Sequence, residues 1–399
     1  HLANIESLSL DMQSKILFLL EENRFFRLGG MEPINAFVRI IASTSVNLEE
    51  LIDKGLFIDE LYRKLKVLDK PGSDLKNTRK PVPTLQGIFV ILALVVGIGA
   101  VYPAYFSEPL FLGLLIPWLL IGVVELVEEL SYLGKFPKIP PIVRLIVHVL
   151  AAFLAVWIGG LNQHSEFVLW SLVFPIPSWI FTLAFVVWTM FCINAINWFD
   201  GIYAQGSGIS AIGFLTIYLV IKFVVFQSYE TFPNIESLLF VQNLSFLLFI
   251  ISLIYTVIEY KPLWLVRDVW IMFFGFAIAY LSVAGGDKIG TLVVALSLPL
   301  FDAAWVGLYR IFVLKKNPLN GDYTHFHHRL LGLGFSRGEA RAFIRIWSLI
   351  MMVLMLLQGT NRLHKIVIFL LMAALFFWVN AYLFLYKKLP CGLQIKKER

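Results

Sequence analysis

From about Ile88 to Tyr386 the chain alternates long apolar runs with short polar breaks, and this pattern predicts about ten membrane-spanning helices. The first 65 residues carry no run of that length. There the spacing Leu10-Asp11-Met12-Gln13-Ser14-Lys15-Ile16-Leu17 predicts a helix, and Phe37-Val38-Arg39-Ile40-Ile41-Ala42-Ser43-Thr44 a buried strand, together an α/β unit. The expected fold class is an all-α polytopic membrane protein with a short N-terminal α/β cytoplasmic fragment. The expected divisions are a fragment over 1–66, a cytoplasmic lead-in loop over 67–87, a multi-span domain over 88–386 and a basic cytoplasmic tail over 387–399.

Composition agrees with the pattern. With 59% hydrophobic and 15% charged residues over 399 positions, most of the chain is excluded from being a water-soluble globule. The formal charge of +6 sits in particular loops, so it reports orientation rather than nucleic-acid binding, and no nucleic-acid partner is expected. Lys135, Lys138 and Arg144 fall on one side with Lys261, Arg267, Lys315, Lys316, Arg329, Arg337 and the tail lysines. That side is cytoplasmic by the positive-inside rule. The opposite connections hold almost no basic residues, with Arg362 and Lys365 a mild exception. Cys192 and Cys391 have no spacing that suggests a metal knuckle or a disulfide.

The orientation gathers the intramembrane polar groups on one surface. Glu125, Asn194, Asn197, Asp200, Asp268 and Asp302 all fall at or near cytoplasmic ends of predicted spans, as does the loop Asp322-Tyr323-Thr324-His325-Phe326-His327-His328-Arg329. Glu128, Glu129 and Asp322 can equally be read as helix-end residues in the headgroup zone. Asn194, Asn197 and Asp200 recur at i, i+3, i+6, which keeps them near one helix face, and Gly201 can end that helix. A helix–helix hydrogen-bond ladder is the plainer reading of the asparagines. Histidines and arginine beside a span suit a phosphate-bearing ligand, because cationic and donor groups offset charge that lipid cannot solvate. A three-histidine zinc site is the other chemical reading of the loop.

These residues also carry a resemblance. Lys80-Pro81-Val82-Pro83-Thr84-Leu85-Gln86-Gly87, Asn194 to Gly201, Leu298 to Asp302 through Arg310 to Pro318, and the histidine loop stand in the order seen in polyprenyl-phosphate N-acetylhexosamine-1-phosphate transferases. The resemblance runs from about residue 66 to 345 and is nearest the bacterial branch that starts O-antigen, teichoic acid and other surface glycans. It implies a bacterial inner-membrane enzyme with its active site on the cytoplasmic face. The implied reaction moves a sugar 1-phosphate from a UDP-N-acetylhexosamine, by default UDP-GlcNAc, to undecaprenyl phosphate, releasing UMP and requiring Mg²⁺. It further implies that Asp268 and Asp200 hold the metal, that Glu125 orients or deprotonates the lipid phosphate, and that His325, His327, His328 and Arg310 contact the sugar nucleotide. Lys80, Asn194 and Asn197 would line the nucleotide and diphosphate pocket. The chain departs from the family pattern at Leu126, where a second acid is expected, at Ile202-Tyr203, where a second aspartate is expected, and at Arg267, Val269, Trp270 and Ile271, where small residues are expected.

The stretch over 1–65 resembles the middle of the AAA+ module of sigma-54-dependent activators, through Phe26-Arg27-Leu28-Gly29-Gly30 and Asn47 to Arg63. ATP hydrolysis is not expected of it, because Ala3-Asn4 stand where Walker B acids would fall and Ile58 replaces an arginine. His1 in place of Met suggests a segment of a longer frame, and the joint between the two resemblances falls near Val67 to Pro71. Gene fusion, a shifted domain and an assembly error are alike compatible with that joint. The rival readings are a membrane-tethered regulator working through the activator-like stretch, an inactive transferase homologue, and a secondary transporter, which would show repeated halves that this sequence lacks.

Overall fold

The structure is a computed structural model that describes residues 2–22, 24–27, 32–36, 42–43, 48–53, 55–58, 61, 95–96, 98–99, 103–132, 137, 139–162, 166–169, 172–225, 235–260, 268–285, 289–313, 315, 325–359 and 361–385. The chain divides into two compact units, His1–Pro81 and Val82–Arg399.

In the first unit, β1 (Leu2–Ala3) pairs in parallel with β4 (Ala42–Ser43), and β2 (Arg24–Phe26) pairs antiparallel with β3 (Pro33–Asn35). Between β1 and β2 lies α1 (Leu10–Glu22), over the predicted helix, and α2 (Leu48–Asp53) follows β4. Of the predicted strand over 37–44, the described part is β4. Ile5, Leu48, Phe57 and Leu61 form a small core. Gln13 is fully buried on α1, and its amide is satisfied by donating to Leu8 O and Leu56 O and accepting from Ile58 N–H. A buried amide with its bonds made fixes the helix against the 56–58 turn more specifically than another leucine would.

The second unit is helical: α3 (Pro109–Tyr132), α4 (Pro141–Gly159), α5 (Ser178–Phe199), α6 (Gln205–Val220), α7 (Ile235–Tyr260), α8 (Asp268–Ala284), α9 (Ile289–Ala295), α10 (Ser297–Leu308), α11 (Phe326–Gly332), α12 (Arg337–Leu357) and α13 (Arg362–Leu385). A short hairpin, β5 (Glu166–Leu169) with β6 (Leu172–Pro175), joins α4 to α5, in a connection where no strand was expected. Among the described residues, seven helices are long and apolar enough to cross a membrane. The count of about ten differs for identifiable reasons. The first expected span lies almost wholly outside the described residues, α8 has 17 residues, and the run after Lys288 is divided at Leu296 into α9 and α10. Pro299 in the first turn of α10 cannot donate a backbone hydrogen bond, which favours that break.

Helix α8 is the centre of the bundle. Trp270, Phe273, Phe274, Ala277, Tyr280 and Leu281 on it are all fully buried, as expected of a helix apolar on every side. It crosses α5 closely at Gly275, where a Cβ would meet Ile193 Cα at 2.7 Å. Apolar side chains cover the outside instead, with Trp157, Trp179, Leu371 and Trp378 all more than 60% exposed. Such an outer face requires lipid around it.

Candidate functional site

Chain direction brings the chemistry together. Because α5 runs into α6 through a turn of a few residues and α7, α10 and α12 alternate in the same bundle, the C-terminal ends of α5, α7 and α10 meet the N-terminal ends of α6, α8 and α12 at one end. The last two turns of α5 carry Asn194, Asn197 and Trp198, and Asp200 caps the helix, its N–H bonding to Asn197 O at 3.2 Å. The buried Asp200 carboxylate accepts from Gly206 N–H at 2.9 Å and so closes the turn into α6. Within that turn Ala204 takes a left-handed conformation, φ 58°.

The histidine loop packs against this end of α5. Asp302 on α10 is fully buried and accepts from His325 Nδ1 at 2.8 Å and from Phe326 N–H at 2.9 Å. That bond leaves His325 Nε2 to face Arg310 Nη2 at 3.4 Å, and Trp198 lies beside both, 5.8 Å from each. His327 is fully buried, edge-on to Phe199 at 5.5 Å, parallel to His325 at 6.0 Å and 4.0 Å from the His328 ring. Neither ring nitrogen of His327 finds a hydrogen-bond partner among the described residues. Burial pushes its pKa well below the ordinary histidine value, and His328, His325 and Arg329 push the same way, so the ring is neutral. A Cβ at Gly201 would run into that ring, which is the reason for glycine here; Asp200 is the residue that ends the helix, and Gly201 does not take the positive φ of a glycine cap.

On the other side of α5 a cavity of about 110 Å³ is lined by Arg144, His148, Asn194, Asn197, Trp198 and Met272. Arg144 and His148 stand one turn apart on α4 and both reach Glu125 on α3, with Arg144 Nε 3.0 Å from Oε1, Arg144 Nη2 2.5 Å from Oε2, and His148 Nε2 3.1 Å from Oε1. Glu125 is fully buried and both its oxygens are engaged, so the unpaired carboxylate that a base would need is not what the fold presents. Its neighbour Glu128 is buried too and accepts from Ile139 N–H at 3.0 Å, which is more than a headgroup-zone residue does.

Eight of the expected site residues therefore line or adjoin one end of the bundle: Glu125, Asn194, Asn197, Asp200, Arg310, His325, His327 and His328. Asp268 opens α8 one turn before Met272, which lines the cavity, but its side chain is outside the described set, and Lys80 and Asp322 lie outside the described residues altogether. Among the described residues no group of three or more His, Cys, Asp or Glu is arranged to hold a metal. The sequence reading passed over His148, Glu259, Arg341 and Arg345. The i, i+4 spacings Arg144/His148 and Arg341/Arg345 on largely apolar helices were the available sign.

This fold and its buried polar end define a polytopic α-helical membrane protein. Comparison with known proteins adds two findings. Along 84% of its length the chain is 23% identical to the "Probable undecaprenyl-phosphate N-acetylglucosaminyl 1-phosphate transferase" of Bacillus subtilis (strain 168), 89% of which is covered. Residues 1–69 match the family model for the Sigma-54 interaction domain. The same region accounts for similarity to the DNA-binding transcriptional regulator NtrC of Escherichia coli (strain K12), 35% identical over 23% of this chain, and of Rhizobium meliloti (strain 1021), 33% identical over 22%. The chain spans about a fifth of the length of those regulators. It is thus similar to a named transferase over most of its length and to a sigma-54 activator fragment at its start.

Proposed function

We propose that the chain transfers N-acetylhexosamine 1-phosphate from a UDP-sugar to undecaprenyl phosphate at the cytoplasmic face of a bacterial inner membrane, the first membrane step of a surface glycan. An oxygen of the lipid phosphate attacks the sugar-bearing phosphorus, the diphosphate bridge breaks, and UMP leaves with the bridging oxygen. The observation that carries this reading is the meeting of the Asn194–Asp200 end of α5 with the His325–His328 turn, supported by similarity over most of the chain.

The donor set fits Mg²⁺ in kind, since that ion takes oxygen ligands and keeps several waters, so two carboxylates suffice. Asp200, whose Oδ1 also accepts from Gly206 N–H, and Asp268, which opens α8, are the acids that the family resemblance assigns to hold it, while Asp302 and Glu125 serve histidine and arginine. Bound there, the ion would neutralise diphosphate charge. The chain's own residues do the rest. Asn197 offers its amide to the cavity, Asn194, whose Nδ2 already donates to Met190 O at 2.7 Å, offers its carbonyl oxygen and remaining N–H, Arg310 and His325 offer a cation and an oriented imidazole, and neutral His327 offers one N–H and one lone pair at a buried position. Glu125 is assigned a different task from the one expected of it: it holds Arg144 and His148 at the cavity wall.

The test is UMP release by the purified protein with Mg²⁺, undecaprenyl phosphate and a panel of UDP-sugars. Asp268→Asn and His327→Ala are each expected to lower release about 100-fold, the scale of losing one group that stabilises transition-state charge. Release that persists in both variants removes the assignment. The activator-like start also favours a second reading, a membrane-tethered regulator, which predicts no UMP release with any donor.

A further inference from the structure

Resting on the transfer reading, we propose that Arg341 and Arg345 of α12 are positioning residues for Asp200, clamping the peptide turn that aims its carboxylate. Arg341 Nη1 donates to Tyr203 O at 2.9 Å, and Arg345 Nη2 donates to the next carbonyl, Ala204 O. Two consecutive peptide planes are thus gripped from one helix. Both guanidinium groups lie over the Tyr260 ring, at 4.0 Å and 5.7 Å from its centroid, which keeps them from swinging out to headgroups. Glu259, buried beside Tyr260, attracts Arg345 and accepts from Ser207 Oγ at 2.6 Å, so α7 ties α6 and α12 together at the same point. Gly208 gives the arginine its seat, since a Cβ there would strike the guanidinium.

The consequence reaches Asp200 through the backbone. Ala204 is held left-handed, a conformation that is strained for an L-residue and persists only where its surroundings enforce it. Two residues on, Gly206 N–H meets Asp200 Oδ1 at 2.9 Å. Without the arginines the Ala204 peptide relaxes, the Gly206 N–H turns away, and the carboxylate loses its aim. An arginine that only snorkels at a helix end would have none of these effects.

The experiment uses the full chain in detergent micelles. Arg345→Gln is expected to lower kcat for UMP release roughly 10- to 100-fold with KM for the UDP-sugar unchanged within about two-fold, the signature of misplacement rather than lost binding. Hydrogen exchange over residues 200–207 is expected to quicken in the same variant. Arg345→Lys keeps the cation beside Glu259 but not the fork, and is expected to fall between Gln and wild type; it guards against reading misfolding as mispositioning. Ala204→Gly in the Arg345→Gln background is expected to recover part of kcat, because glycine adopts the turn without strain. Unchanged exchange, unchanged kcat, or a rise in KM at constant kcat each overturns the proposal. If wild-type protein releases no UMP, the transfer reading falls, and the exchange measurement alone then decides whether the clamp exists.

Discussion

His327 and Gly201 fit together as one unit. The imidazole is fully buried and the glycine backbone is its floor, so Gly201→Ala is expected to cost about 1–3 kcal/mol by overpacking. The check is thermal unfolding in micelles, with the added expectation that Gly201→Ala/His327→Ala recovers the stability but not the turnover. Protonation presses on the same residue. Its folded pKa lies below the ordinary value of about 6.5, so the unfolded chain binds the proton first; stability is full above that pH and is lost as pH falls toward the folded pKa. Melting temperature is therefore expected to drop between about pH 7 and about pH 5, and His327→Phe, which cannot titrate, should flatten that part of the profile. The crowding of three histidines was legible in sequence. That Asp302 orients His325 while His327 is left to Gly201 was not, since it depends on α10 and α5 flanking the loop from far-off positions.

Between elements, a buried ionic tie joins α3 to α4 through Glu125, Arg144 and His148. Removing one partner of a buried pair strands the other's charge, so Glu125→Gln is expected to cost roughly 3 kcal/mol, although the partial exposure of Arg144 pulls the figure down. The double variant Glu125→Gln/Arg144→Met should lose less than the single one, a difference that a double-mutant cycle of unfolding measurements reads directly. At the start of α12, Ser336 and Glu339 form a capping box, Ser336 Oγ accepting from Glu339 N–H at 3.2 Å and Glu339 Oε2 from Ser336 N–H at 2.8 Å. Ser336-Arg-Gly-Glu339 announces that start in the sequence itself. The partners of Glu125 were not announced, because a basic residue just inside a span reads as an orientation marker until the facing helix is known.

At the scale of the whole bundle, apolar run lengths alone locate the long helices from α3 to α7, with α12 and α13, because lipid imposes one requirement on every span. They say less about α8 to α10, where burial in protein replaces burial in lipid and a helix can be shorter, or broken at Pro299, without exposing backbone to hydrocarbon. Orientation rests on a different argument, the bias of lysine and arginine to one side. The mild exception at the far end is partly absorbed, since Lys365 Nζ donates to Thr291 Oγ1 at 3.1 Å and so packs against α9 instead of standing free in a loop. With that charge discounted, the proposed orientation puts the start of α12 at the cytoplasmic face and its end at the opposite one. In a background of Cys192→Ala and Cys391→Ser, Phe335→Cys in right-side-out cells should react with a membrane-impermeant maleimide only after permeabilisation, whereas Asn361→Cys should react at once. Both positions are solvent-facing at opposite ends of α12, so the reverse pattern would turn the bundle over, carry Asp200, His327 and the proposed clamp to the outer face, and overturn the proposed cytoplasmic site.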